Sequence, residues 1–149
     1  MSYEHTQKAP LHWVFYPVVI WLLVLAWLSR AQPLAAGLAV AGAVGLFAVA
    51  FMFKRLTVRD EGQWLAIRFG PLRVFRKCIR YEQITEVEAN RSSWIDGWGI
   101  HCIPGRGCTY NLWGFACAKL IVNGKTVRIG SDDVPNLVAF LQSRIRPAP

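Results

Sequence analysis

The chain has 149 residues, 54% of them hydrophobic, with 17 Lys and Arg against 9 Asp and Glu and a formal net charge of +8. The apolar residues crowd into the first 53 positions, and from Lys54 onward charged and apolar residues alternate. The 96 residues after that boundary suffice for one small core and exclude a second one.

Residues 1–10 carry Glu4, His5 and Lys8 and read as a short N-terminal cytoplasmic tail. Residues 11–29 and 33–53 follow without a single charged side chain, separated only by Arg30, Ala31 and Gln32. The second stretch, as a helix rising about 1.5 Å per residue, spans roughly 30 Å, the thickness of a bilayer's hydrocarbon core. Two such segments with so short a link predict a transmembrane helical hairpin. A cleaved signal peptide wants a basic start, a shorter apolar run and a small-x-small cleavage site, whereas this first segment continues through Trp21 and Trp27. A buried soluble pair would show a polar stripe, and neither segment has one of any width.

Lys8, Lys54, Arg55 and Arg59 flank the hairpin on one side and Arg30 alone marks its tight loop, so both termini are expected in the cytoplasm of a bacterial inner membrane, with the inverted hairpin as the alternative. A cytoplasmic location predicts reduced thiols at Cys78, Cys102, Cys108 and Cys117. The first helix is bulky, with Trp13 and Tyr16 near one end and Trp27 near the other, as interfacial belts require, and Pro17 lies in its first turns. The second is rich in Ala and Gly, and Gly37, Ala41 and Gly45 share one face. That face packs either on the first helix or on another protein. The lack of ionisable residues at depth argues against a transporter, a proton channel or an intramembrane enzyme.

The remaining segment, residues 54–149, reads as strands followed by one helix. Residues 56–60 and 64–69 form a strand hairpin around Glu61-Gly62, and Gly70-Pro71 turns the chain into a strand over 73–79. Another alternating run covers 84–89. Residues 118–122 and 126–129 flank Asn123-Gly124, a strong hairpin signal. Ser131-Asp132-Asp133 then precedes an amphipathic helix over 134–145, with Val134, Leu137, Val138, Leu141 and Ile145 on one face, an Asp at its cap and Pro135 in its first turn. Six or seven short antiparallel strands closed by one helix predict a small sandwich or open barrel.

In this order of elements the chain resembles bacterial membrane proteins that carry a pleckstrin-homology-like (PH-like) domain behind two N-terminal transmembrane helices. The residues that carry the resemblance are Leu56-Thr57-Val58, the run from Trp64 to Gly70, Ile84 to Glu88, Gly97-Trp98-Gly99-Ile100, and Val127 to Asp133 before the helix, within about residues 56–146. It implies a seven-stranded partly open barrel capped by the last helix, without catalytic activity. Phosphoinositide-binding members of the wider superfamily gather basic residues around the first strand hairpin. Here that turn is Asp60-Glu61-Gly62, so no lipid-binding residue carries over.

The segment from Lys54 holds 15 Lys and Arg against 8 Asp and Glu, a net of +7. Lys54, Arg55, Arg59, Arg68, Arg73, Arg76, Lys77 and Arg80 are the candidate membrane-surface residues, concentrated beside the membrane, where each basic residue contributes on the order of 1 kcal/mol toward anionic lipid. The alternative is a solvated face. Nucleic acid is not expected as a partner, because no binding motif appears and a tether restricts access. Residues 91–115 interleave Trp94, Trp98, Tyr110 and Trp113 with glycines. These aromatics are candidate protein-interface residues, with covering the barrel end or resting in the lipid interface as the alternatives.

His101, Cys102, Cys108 and Cys117 have zinc-ligand chemistry but not the paired spacing of structural zinc sites, and neighbours on a strand point to opposite faces. No metal or other cofactor is therefore expected. There is no nucleophile elbow, phosphate-binding loop or His-Glu-x-x-His helix, and Asp132 and Asp133 are explained as a helix start, so neither catalysis nor a small-molecule substrate is expected. Together these readings predict an accessory or scaffold subunit that docks on a larger integral membrane complex. The alternative is a sensor of anionic inner-leaflet lipid.

Overall fold

The computed structural model describes residues 2–71 and 75–145. Among them are two helices near the N-terminus, two mostly antiparallel sheets and a C-terminal helix, an α+β arrangement. Residues 1–10, expected as a tail, contribute strand β1 (Glu4–Lys8). A 3-10 turn over Pro10–Val14 leads into α1 (Phe15–Leu28), and α2 (Pro33–Met52) runs back against it. Then come β2 (Arg55–Asp60), β3 (Trp64–Phe69), β4 (Phe75–Arg80), β5 (Ile84–Arg91), β6 (Gly99–Ile103), β7 (Gly107–Asn111), β8 (Ala116–Val122), β9 (Lys125–Gly130) and α3 (Val134–Arg144).

Among the described residues one helix, α2, is long and apolar enough to cross a membrane, where two were expected. The apolar stretch before it divides into five residues of 3-10 turn and 14 of α-helix. Pro10 and Pro17 bear on that division, since each lacks the amide that a longer α-helix would use.

β1 to β4 form one sheet in sequence order, and the other has the order β5-β8-β9-β7-β6. The implied seven strands are thus nine among the described residues, and β7 lies parallel to β9. The extra hairpin, β6 and β7, occupies the stretch that lacked a periodic pattern. Its two strands are joined by a disulfide, Cys102–Cys108, which corrects the expectation of reduced thiols at that pair. Cys78 and Cys117 are free.

The core lies between the inner faces of the sheets, where Leu56, Leu65, Ile67, Ile79, Leu112, Leu120 and Ile129 are almost fully buried. The alternation read from the sequence holds over β2 and β3. Asn123 and Gly124 both have positive φ, at 49° and 73°, the backbone that a tight two-residue hairpin needs. Leu137, Phe140 and Leu141 of α3 are buried against this core. Asp133 stands at the helix N-cap, but its carboxylate does not cap the first turn; it accepts from Asn136 and from the Tyr3 hydroxyl, and its own amide donates to Ser131 Oγ. The Asp132–Asp133 pair thus faces β1, where His5 Nε2 lies 2.5 Å from Asp132 Oδ1.

The disulfide closes a short loop, with a sequence separation of 6. A loop of that size restricts the unfolded chain by about 2 kcal/mol. The Cys102→Ser/Cys108→Ser double variant should lose about that much stability, and thermal unfolding of the full chain in detergent should show the same lower melting temperature for the reduced wild type as for the variant.

Candidate membrane-proximal interface

The helix pair is apolar all round. Trp21, Trp27 and Leu28 on α1, Leu34, Leu38 and Val44 on α2 and Trp13 on the 3-10 turn are all exposed, while Phe47 of α2 lies beside the Tyr16 ring of α1. What α2 turns toward α1 is a different stripe, on which Ala43 and Ala50 are buried, while a Cβ built on Gly42 would stand 3.7 Å from Leu22 Cδ1. Gly37, Ala41 and Gly45 are exposed, and a Cβ built on Gly37 or Gly45 would meet nothing within 4 Å. The small-residue face therefore does not serve the hairpin's own packing.

The chain leaves the sheet at Lys8 and returns at Arg55, and these two residues are partners across β1 and β2. One step in from them runs a row made of Gln7, Leu56, Phe69 and Phe75, each paired to the next. The second sheet reaches the same base. A Cβ on Gly99 would come within 3.1 Å of the Phe53 ring at the end of α2, and Gln7 Nε2 donates to the Trp113 carbonyl at 3.0 Å. Trp98 stacks on Trp113 with centroids 4.6 Å apart, and its indole N–H donates to the Gly114 carbonyl. Trp98, Trp113, Phe75 and Ile100 are exposed, so the base of the helix pair carries an apolar fringe. Phe75 and Ile100 were not among the expected interface residues. Their one sequence signal is an apolar residue at a strand end, which is common in strands of every kind.

Trp94 is 81% exposed on the 3-10 turn over Trp94–Asp96. Tyr110, expected at a contact surface, is instead buried in the core, and burial raises its pKa. Its strand alternates Thr109 and Tyr110 between two covered faces, which aromatic content alone does not reveal.

The basic residues separate into two groups. Lys54 and Arg55 lie exposed at the base, and Lys77 is exposed two residues along β4 from Phe75, none of them in an ion pair with another described residue. Arg68 and Arg76 both donate to the carboxylate of Glu61, one to each oxygen. Arg59 faces Glu4 at 3.5 Å. Arg80 pairs with Glu82 and lies over the Trp64 ring at the opposite end of β4 from Phe75, about 16 Å away at strand rise. The expected concentration of charge beside the membrane therefore reduces to a few residues. Arg73 lies outside the described residues.

The loop before β6 is held by a buried carboxylate. Asp96 is 3% exposed and closes a capping box with Ser93, whose amide and hydroxyl both donate to it, while Arg106 and Arg128 lie 3.4 and 4.0 Å away. Burial works to raise its pKa, but the Ser93 donors and the charges of Arg128 and Arg106 outweigh it, and the carboxyl titrates below the ordinary aspartate range. Among the described residues no group of three or more His, Cys, Asp and Glu could hold a metal ion; His101 and Cys117 do not join the disulfide pair in one. Burial also raises the Cys117 thiol. No family model, curated protein or solved structure matches the chain.

A carboxylate whose folded pKa is depressed adds stability above its unfolded value, near 4, and loses it as pH falls through the folded one. Asp96→Asn should therefore cost about 1–3 kcal/mol at neutral pH. Acid titrations followed by tryptophan fluorescence should show the gap between variant and wild type closing only as pH falls below the ordinary aspartate range, through the depressed folded pKa. A constant difference across the whole range would show that Asp96 acts through shape alone.

Proposed function

We propose that this chain is a noncatalytic integral-membrane accessory subunit that docks on a larger membrane protein complex through its helix pair, with a PH-like domain held against the bilayer surface. The observation that carries this reading is the pairing of Lys8 with Arg55. It returns the chain to its starting point after an excursion that is apolar on every side, so a crossing by α2 demands a crossing by what precedes it. The 14 residues of α1 rise about 21 Å. The five-residue 3-10 turn adds about 10 Å. That total matches the roughly 30 Å of the 20-residue α2 and of a hydrocarbon core.

Gly37, Ala41 and Gly45 suit close approach by a foreign helix, because all three are exposed and no described residue comes within 4 Å of a Cβ built on Gly37 or Gly45. Trp98 and Trp113, stacked at the helix base, suit the headgroup layer or a partner that lies in it. Basic residues at Lys8, Lys54 and Arg55, against Arg30 alone at the other end, favour a bacterial inner membrane with both termini cytoplasmic, whereas the Cys102–Cys108 disulfide favours the inverted hairpin, with the domain in an oxidising compartment. A second reading, a sensor of anionic lipid, is favoured by the unpaired Lys54 and Arg55 at the same base.

Gentle detergent extraction from native membranes should recover the chain in a particle several times its own 16.8 kDa mass, together with a partner. Recovery of a free monomer alone would overturn the docking reading. Gly45→Leu should abolish co-purification while leaving the melting temperature unchanged, since the new side chain enters open space. Under the lipid reading, reconstitution in anionic rather than zwitterionic nanodiscs would raise the melting temperature, and Lys54→Gln/Arg55→Gln would remove that gain.

A further inference from the structure

The two sheets part on the side where β4 edges one and β6 edges the other, leaving a cleft of about 840 Å³. Its walls are β4, the disulfide-closed β6–β7 hairpin and the turn between β8 and β9. A volume of this order is that of a small-molecule site. Three features of the cleft point to what it takes.

Its charged lining consists of Lys77 and Lys125, with no carboxylate, and neither lysine has an ion pair among the described residues. Elsewhere in the domain Glu61, Glu82, Glu88, Asp96 and Asp60 each hold a basic side chain. Two ammonium groups left without counter-ions over a partly enclosed space favour a compact polyanionic group such as a phosphate. Below them Ile79, Ile103 and Val127 supply apolar wall, while the side-chain amides of Gln83 and Asn123 make no hydrogen bond within the described residues. An apolar body with polar edges meets both. The walls are also rigid. A Cβ on Gly107 would approach the Thr126 carbonyl oxygen to 2.0 Å, so β7 and β9 touch backbone to backbone, and the disulfide fixes β6 to β7.

Position separates this site from the helix base. Lys77 already stands two residues beyond Phe75, and the Asn123 turn lies seven residues along β8 from Ala116, about 20 Å from its base-side end. We infer that the cleft binds a water-soluble organophosphate with an apolar or ring-shaped body, of about the size of a mononucleotide, its phosphate held by Lys77 and Lys125. That the ligand comes from solution rather than from the bilayer rests on the membrane reading of the helix pair; the site itself does not.

Cys78 makes the inference measurable, because this half-buried cysteine with a free thiol is among the residues that line the same cleft, next to Lys77 on β4. The full chain in detergent is alkylated with iodoacetamide, and modification at Cys78 is followed by peptide mass spectrometry, with AMP, inorganic pyrophosphate or phosphatidic acid micelles added. Saturating AMP should slow alkylation by about tenfold, as expected when only the unliganded fraction reacts. The Lys77→Gln/Lys125→Gln variant, with an unchanged circular dichroism spectrum, should lose that protection, whereas Lys54→Gln/Arg55→Gln should keep it. Protection by phosphatidic acid alone would overturn the assignment to a soluble ligand without touching the docking reading. Absence of protection by either soluble phosphate, or protection that survives loss of both lysines, would overturn the site.

Discussion

Lys8 pairs with Arg55, so the 46 residues between them must leave one edge of a sheet and come back to the neighbouring position. That closure decides most of the architecture. It makes the helices antiparallel, puts both of their outer ends at the base of the domain and gives the domain a fixed stance on them. The stance is reinforced next to the closure, where Gly70 approaches the Met52 backbone so closely that a Cβ would stand 2.8 Å from its Cα. Phe53 lies against Phe69 and against Gly99 of the second sheet. A flexible linker would let the domain swing, whereas here the helix ends are built into the sheet.

The opposite side of the domain is closed by groups that sequence distance hides. Tyr3 stacks on Phe140 at 5.3 Å, His5 meets Asp132, and Asp60 accepts from both Tyr81 and Arg144. These contacts fasten β1, the first strand, to α3, the last helix. The fold is thus tied at both ends of the chain, and α3 fills the space on the β1–β5 side that the sheets leave open on the β4–β6 side.

Much of this was readable in the residues. Alternation located β2, β3, β5, β8 and β9, Asn123-Gly124 located a turn, and the stripe from Val134 to Leu141 located α3. Those signals are local, and local signals survive in one sequence. β1 was missed because Glu4-His5-Thr6-Gln7-Lys8 is polar throughout; it becomes a strand only because β2 offers it an edge. β6 and β7 were missed because Gly99 and Gly107 take positive φ and weaken any strand pattern. The symmetric placement of Cys102 and Cys108 about Pro104-Gly105 was their available sign, and the assumption of a reducing compartment masked it. The basic candidates failed in part for a different reason: counting charges cannot tell that Glu61, remote in the hairpin turn, would claim Arg68 and Arg76 together.

Pairing of that kind explains where the net charge of the domain remains active. Carboxylates consume Arg59, Arg68, Arg76, Arg80, Lys119 and Arg128 locally, and a paired charge projects little field beyond a Debye length. The surplus that composition reports is therefore not a uniform coat. Among the described residues of the domain it survives at Lys54 and Arg55 beside the helix ends, at Lys77 and Lys125 around the cleft, and at the lone exposed Arg91. Two separate patches of unneutralised charge, one against an apolar fringe and one over a walled space, are what a small domain needs to hold a surface and a solute at the same time. The rigid base keeps them apart, so occupancy of one patch need not obstruct the other.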